Sequence, residues 1–121
     1  MSKVSVIIAA YNVEKYIADT LNSAVSQTLK DIDIVVVDDC STDKTFEIIS
    51  KYAELDSRIK VVRHEVNKSV NISRVTGLEN CCGEYVMYVD GDDKLAKNAC
   101  EKAYKAITSE KSDVLRFGVD I

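Results

Sequence analysis

Five apolar runs open at Val4, Ile32, Ile59, Tyr85 and Val114, so their starts fall roughly 28, 27, 26 and 29 residues apart. That interval is the length of one strand plus one crossover helix. The runs span Val4 to Ala9, Ile32 to Val37, Ile59 to Arg63, Tyr85 to Val89 and Val114 to Val119. The first is a near-continuous apolar stretch, as expected of a strand covered on both faces in a parallel sheet. Between the runs the apolar spacing turns helical. Val13, Ile17, Leu21, Ala24 and Val25 form one stripe, with Asn12 placed to cap its first turn. Phe46, Ile49, Tyr52 and Ala53 form a second, entered through the acceptor side chains of Cys40-Ser41-Thr42-Asp43. A weaker helical segment runs from Asn71 to Leu78, and Leu95, Ala99, Ala103 and Ile107 mark a last helix. This alternation predicts an α/β fold: a Rossmann-like, mostly parallel, doubly wound sheet with right-handed crossovers and helices on both faces.

A chain of 121 residues fits one domain, residues 1–121, that buries about two thirds of its unfolded surface and leaves no room for a second. With 16 basic and 20 acidic residues, a net charge of -4 and no basic run, it has no electrostatic footprint for nucleic acid or an anionic membrane. Cys40, Cys81, Cys82 and Cys100 lack Cys-x-x-Cys spacing, and His64 alone cannot complete a zinc set, so the thiols read as structural in a reducing cytoplasm. The segment Val4 to Tyr11 is too short to span a bilayer, and Met1-Ser2-Lys3 is a poor signal-peptide start. The absence of proline argues against a rigid linker.

In doubly wound sheets, ligands sit outside the carboxyl ends of the strands where the strand order reverses. The residues at those ends are Tyr11 and Asn12, then Asp38 and Asp39, then His64, then Asp90, Asp92 and Asp93. The last group is the densest, with three carboxylates separated only by Gly91. Like charges so close repel unless something neutralises them. A hard divalent cation does so, and Mg²⁺ needs only one or two protein carboxylates beside phosphate and water. The alternative is a solvated acidic turn capping the next helix. No Gly-x-Gly-x-x-Gly follows the first strand and no Gly-Lys-Ser/Thr loop occurs, which disfavours dehydrogenases and P-loop enzymes. A nucleotide bound here would have its diphosphate charge met by a metal on Asp92, with Asp90 near the ribose or metal. Asp39 would accept a hydrogen bond from a base N–H. His64, with no nucleophile nearby to pair with, reads as a strand-end surface residue.

Three segments together resemble a known family. Val4-Ser5-Val6-Ile7-Ile8-Ala9-Ala10-Tyr11-Asn12, Val37-Asp38-Asp39-Cys40-Ser41-Thr42-Asp43, and Gly83-Glu84-Tyr85 through Asp90-Gly91-Asp92-Asp93 look like the three motifs of family 2 glycosyltransferases of the GT-A fold. The resemblance covers essentially the whole chain, which corresponds to the donor-binding half of such enzymes. It implies a nucleotide site made by Ala10, Tyr11, Asn12, Asp39, Arg74, Asp90 and Gly91, with Tyr11 and Asp39 on the base, usually uracil, and Asp90 near the ribose. It implies Mn²⁺ or Mg²⁺ on Asp92 and Asp90, bridging the diphosphate of a nucleoside-diphosphate sugar. The implied reaction is inverting transfer from a UDP-sugar to an acceptor hydroxyl of a glycan or glycolipid, its catalytic base expected beyond Ile121.

The segment Asn67 to Gly77 keeps the family's Asn67, Arg74 and Gly77 but lacks its usual Gly, Ser, Ala and Asn at Ser69, Asn71, Ser73 and Val75. Ala9 stands where proline is usual, and Cys40 where glycine is common. Arg74 reads equally as a diphosphate ligand or an ion-pair partner. Tyr11 also fits plain core packing. Two rival readings are a noncatalytic module of the same fold and a receiver-like signalling domain; the latter needs carboxylates after the first strand, where Ala10-Tyr11-Asn12 stands. A chain ending on an expected strand at Val119-Asp120-Ile121 is expected to leave an open apolar face and to self-associate.

Overall fold

A computed structural model describes residues 2–110. Four parallel strands, β1 (Val4–Ala10), β2 (Ile32–Asp38), β3 (Ile59–Arg63) and β4 (Tyr85–Asp90), form one sheet in the order β3-β2-β1-β4. The helices are α1 (Ile17–Val25), α2 (Thr45–Leu55), α3 (Val70–Glu79) and α4 (Ala99–Glu110). The expected strand from Val114 to Val119 lies outside the described residues. Since β1 is flanked by β2 and β4, the strand order reverses between β1 and β4. A receiver-like sheet, in the flavodoxin-type order 2-1-3-4-5, would flank β1 with β2 and β3, so that reading is excluded.

Alternation along each strand sorts the core into two layers. Val4, Val6, Ile8 and Ala10 of β1 and Ile32, Ile34 and Val36 of β2 face α1, α2 and the start of α4, meeting Ile17, Leu21, Ile49 and Cys100. Ile7, Val35 and Val37 face the other way, beneath α3. These side chains are almost fully buried, and each valine, leucine and isoleucine among them contributes about 1.5–3 kcal/mol to folding. Helix α3 lies close to β1: a Cβ on Gly77 would meet Cγ2 of Ile7 at 2.3 Å, so a larger residue there forces Ile7 or the helix to shift. It covers β1 and β2 but leaves Val86 and Tyr88 of β4 about 40% exposed.

Two helix starts differ from the sequence expectation. Asn12 does not cap α1. Its φ of 50° is left-handed, whereas a capping residue is extended, and the helix begins only after a turn in which Tyr16 and Ile17 both donate to the Val13 carbonyl. Asn12 instead ties two loops together, its Oδ1 accepting from the Thr42 amide at 2.8 Å and its own amide donating to Ser41 Oγ. Leu95 lies ahead of α4, buried beside α1, with its amide on Ser23 Oγ. At α2 the expected acceptor is present: Asp43 Oδ1 takes the Thr45 amide at 2.9 Å. Burial pushes the Asp43 carboxyl up, but the Thr45 hydroxyl and nearby amides outweigh it and hold the group below the usual range.

Candidate functional site

The two-residue repeat of the strands carries past their ends. Val35, Val37 and Asp39 point to the α3 side of the sheet, as do Ile7 and Ala9 on β1, Tyr88 and Asp90 on β4, and Val62 and His64 on β3. The sheet thus delivers Asp39, His64 and Asp90 to one edge, on one face, under the N-terminal half of α3. Asp38 goes the other way. Its fully buried carboxylate accepts from Ser41 Oγ at 2.5 Å and from Arg63 Nε at 3.2 Å, holding the loop before α2, so the adjacent aspartates do separate work.

A cleft of about 250 Å³ opens at this edge, lined by Ala10, Tyr11, Asp39, Asn67, Ser69 and Ser73 among others. Tyr11 is 47% exposed, which removes the core-packing alternative. Asp39 is 3% exposed and accepts three hydrogen bonds: from His64 Nδ1 at 2.8 Å and the Lys68 amide at 2.8 Å on Oδ1, and from the Ser69 amide at 2.9 Å on Oδ2. Burial raises its pKa, but the His64 hydrogen bond and the two amides more than offset this and hold the carboxyl below its ordinary value. Asp39 is therefore a fixed, ionised acceptor with one lone pair left, on Oδ2. Ser69, which supplies one of those amides, has φ 100° and ψ 163°, a conformation that is essentially glycine's alone. The family's usual glycine at this position fits that backbone.

Across the crevice, Asp90, Asp92 and Asp93 each bring a carboxylate oxygen to within 4.8 Å of the others. The turn that gathers them is closed by the Asp93 amide on the Asp90 carbonyl, and Gly91 lets it pack: a Cβ there would lie 2.9 Å from Val13 Cγ2. The Gly91 amide donates to the Ala9 carbonyl, and its carbonyl accepts from the buried Thr20 hydroxyl, so the turn is anchored on both β1 and α1. Burial, then Asp92 and Asp90, push the Asp93 carboxyl above its ordinary value. A compact set of hard oxygen donors whose mutual repulsion shows in a raised carboxyl suits Mg²⁺ or Mn²⁺.

Arg74 on α3 connects the halves. Its Nη2 donates to Asp90 Oδ1 at 3.2 Å, its guanidinium lies 5.9 Å from the Tyr88 ring centre, and its Nε is buried without a partner. Of the residues expected at the site, Ala10, Tyr11 and Asp39 line the cleft, while Arg74, Asp90 and Asp92 stand at the carboxylate end. Asn12 and Gly91 hold the surrounding loops. His64 was not expected here. It is buried between Asp39 and Thr76, its Nε2 2.8 Å from the Thr76 hydroxyl, so the expectation of a surface residue is wrong. The signal that could have located it is register: Asp38 pairs with Arg63, so Asp39 and His64 follow side by side.

The profile of Glycosyl transferase family 2 matches residues 5–120. Glycosyltransferase GlyA of Streptococcus pneumoniae is 42% identical over 93% of this chain and 16% of its own length. The putative teichuronic acid biosynthesis glycosyltransferase TuaG of Bacillus subtilis is 42% identical over 82% of this chain and 39% of its own. Among solved structures, Staphylococcus aureus TarS 1-349 in complex with UDP superposes with a TM-score of 0.84 at 37% identity, covering 98% of this chain and 38% of that one. A mannosyltransferase from Pyrobaculum calidifontis in complex with GDP-Man and Mn²⁺ superposes with a TM-score of 0.81 at 26% identity, covering 88% and 32%. The chain spans less than half the length of each of these proteins. The match over nearly all of its residues, with the same fold in the superposed structure, shows that this chain belongs to glycosyl transferase family 2.

Proposed function

We propose that this chain binds the donor of an inverting glycosyltransferase, a uridine diphosphate sugar held with Mn²⁺ or Mg²⁺. The observation that carries the reading is the fixed, ionised Asp39 beside Tyr11 in a cleft, with a carboxylate triad at the end of the strand across the switch point. Uracil presents a single N3–H to the free lone pair of Asp39 and lies against Tyr11. Asp92 and Asp90 hold the cation, and Arg74 turns its unpartnered Nε to a diphosphate oxygen, releasing Asp90. A divalent cation in this position offsets charge developing on the leaving nucleoside diphosphate. The acceptor is a glycan or glycolipid hydroxyl, which a general base deprotonates for direct displacement of the nucleoside diphosphate. Support for the donor class comes from TarS, solved with UDP and with UDP-GlcNAc. No helix among the described residues is long and apolar enough to cross a membrane. Self-association through the open face at Val86 and Tyr88 belongs to the same proposal, and light scattering tests it: a strict monomer contradicts it.

A panel of nucleoside diphosphates in Mn²⁺, read by thermal melting, tests the donor assignment. At about 100 times its dissociation constant a ligand adds ~2.7 kcal/mol of stability, a shift of several degrees. UDP should give the largest shift. Equal shifts for UDP, CDP, GDP and ADP would contradict a base-reading Asp39.

A further inference from the structure

We propose that His64 is a positioning residue for base recognition, fixing the Asp39 carboxylate so that one lone pair alone faces a donor. The inference rests on the uridine diphosphate reading above and assigns its selectivity to a residue that touches no ligand. An aspartate at a strand end can rotate about χ2 and offer either oxygen. Here Oδ1 is filled by His64 Nδ1 and the Lys68 amide, and Oδ2 is half filled by the Ser69 amide. The amides come from a loop, but His64 stands on the sheet. Its own amide donates to the Asp38 carbonyl at 2.9 Å, continuing the β2–β3 ladder, and Thr76 on α3 holds the far side of its ring. Since Asp39 is ionised, Nδ1 carries a proton and donates, and the Thr76 hydroxyl meets Nε2. The single remaining lone pair suits the one N3–H of uracil. Cytosine turns a bare N3 lone pair towards the same oxygen and is repelled.

Two near-isosteric variants separate positioning from simple filling of space. In His64→Asn the amide nitrogen reaches the place of Nδ1 and still donates to Asp39. In His64→Gln it reaches the place of Nε2, keeping Thr76 and leaving Oδ1 half free. The readout is the ratio of UDP to CDP affinity by calorimetry in Mn²⁺. His64→Gln should lower that ratio by about tenfold or more, the worth of one charge-assisted hydrogen bond, while His64→Asn stays within about threefold of wild type. Both variants should lose similar thermal stability, which a purely structural role would tie to equal losses of selectivity. Because His64 is the sole histidine, its imidazole ¹⁵N signals are unambiguous in the unmodified chain. They should show a protonated Nδ1. A bare Nδ1 with a protonated Nε2, or an unchanged UDP:CDP ratio in His64→Gln beside a selective wild type, overturns the His64 assignment alone. A wild type that binds no UDP overturns the donor reading and the assignment together.

Discussion

Arg74 pairs with Asp90 at 3.2 Å, Nη2 to Oδ1, across the gap between α3 and the end of β4, while its Nε lies buried without a partner. Both side chains are about 40% exposed, so the pair is a weak one, in the range of about 0–1 kcal/mol. An orphaned buried donor next to an easily broken ion pair suits an arginine that changes partner when a diphosphate arrives. Arg74→Gln should therefore shift the melting temperature by only a degree or two, yet weaken UDP binding about tenfold or more. A marked loss of stability with unchanged affinity would make Arg74 the structural ion-pair partner instead.

Asp39 and Asp93 should give the fold opposite responses to pH. The Asp39 carboxyl is depressed in the fold despite its burial, so its stabilisation is present above the unfolded value of about 3.9 and is lost as pH falls through the folded value. Asp39→Asn should cost about 1.5–3 kcal/mol at neutral pH, and the difference should close in acid. The Asp93 carboxyl is raised, by burial and then by Asp92 and Asp90, so its contribution is complete below the unfolded value and lost as pH rises through the folded one. Without metal, Asp93→Asn should be at least as stable as wild type at neutral pH. Urea midpoints from pH 3 to 8 decide it, and slopes of the same sign would contradict both assignments.

Ser69→Gly should stabilise the chain. Relief of about 1–3 kcal/mol at φ 100° is partly offset by about 0.5–1 kcal/mol of glycine's extra chain entropy, and the Ser69 side chain makes no capping bond to be lost. A rise in melting temperature of a few degrees is expected. A fall would mean that the serine hydroxyl holds a contact stronger than the strain it tolerates.

Gly77→Ala tests how far the site depends on α3 lying close to β1. The new methyl would meet Ile7 Cγ2 at 2.3 Å, and overpacking of this kind typically costs about 1–3 kcal/mol. Lifting α3 also draws Ser69, Arg74 and Thr76 away from Asp39, Asp90 and His64, so UDP affinity should fall with stability. Unchanged affinity would show that the cleft does not need the close approach.

The strand positions were legible because apolar runs repeat at a crossover interval, and each of the four observed strands overlaps its predicted run. The acidic turn was legible because nothing in a folded chain hides three adjacent carboxylates. What escaped depended on pairing. His64 becomes a site residue only once β3 lies beside β2 with Arg63 opposite Asp38, which no local pattern around His64 announces. Asn12 misled for a different reason: asparagine favours both helix caps and left-handed turns, and the Thr42 amide, 30 residues away in sequence, selected the turn. Leu95 keeps helical spacing with Ala99 yet packs from the preceding loop.

The central claim is a nucleotide held jointly by Asp39 and a cation on Asp90 and Asp92, and titration calorimetry of UDP into the chain in Mn²⁺ and in EDTA tests it most directly. Binding in Mn²⁺ that weakens by about tenfold or more in EDTA is the predicted result, because two negative phosphates then face three uncompensated carboxylates. Equal affinity in the two solutions would contradict the claim.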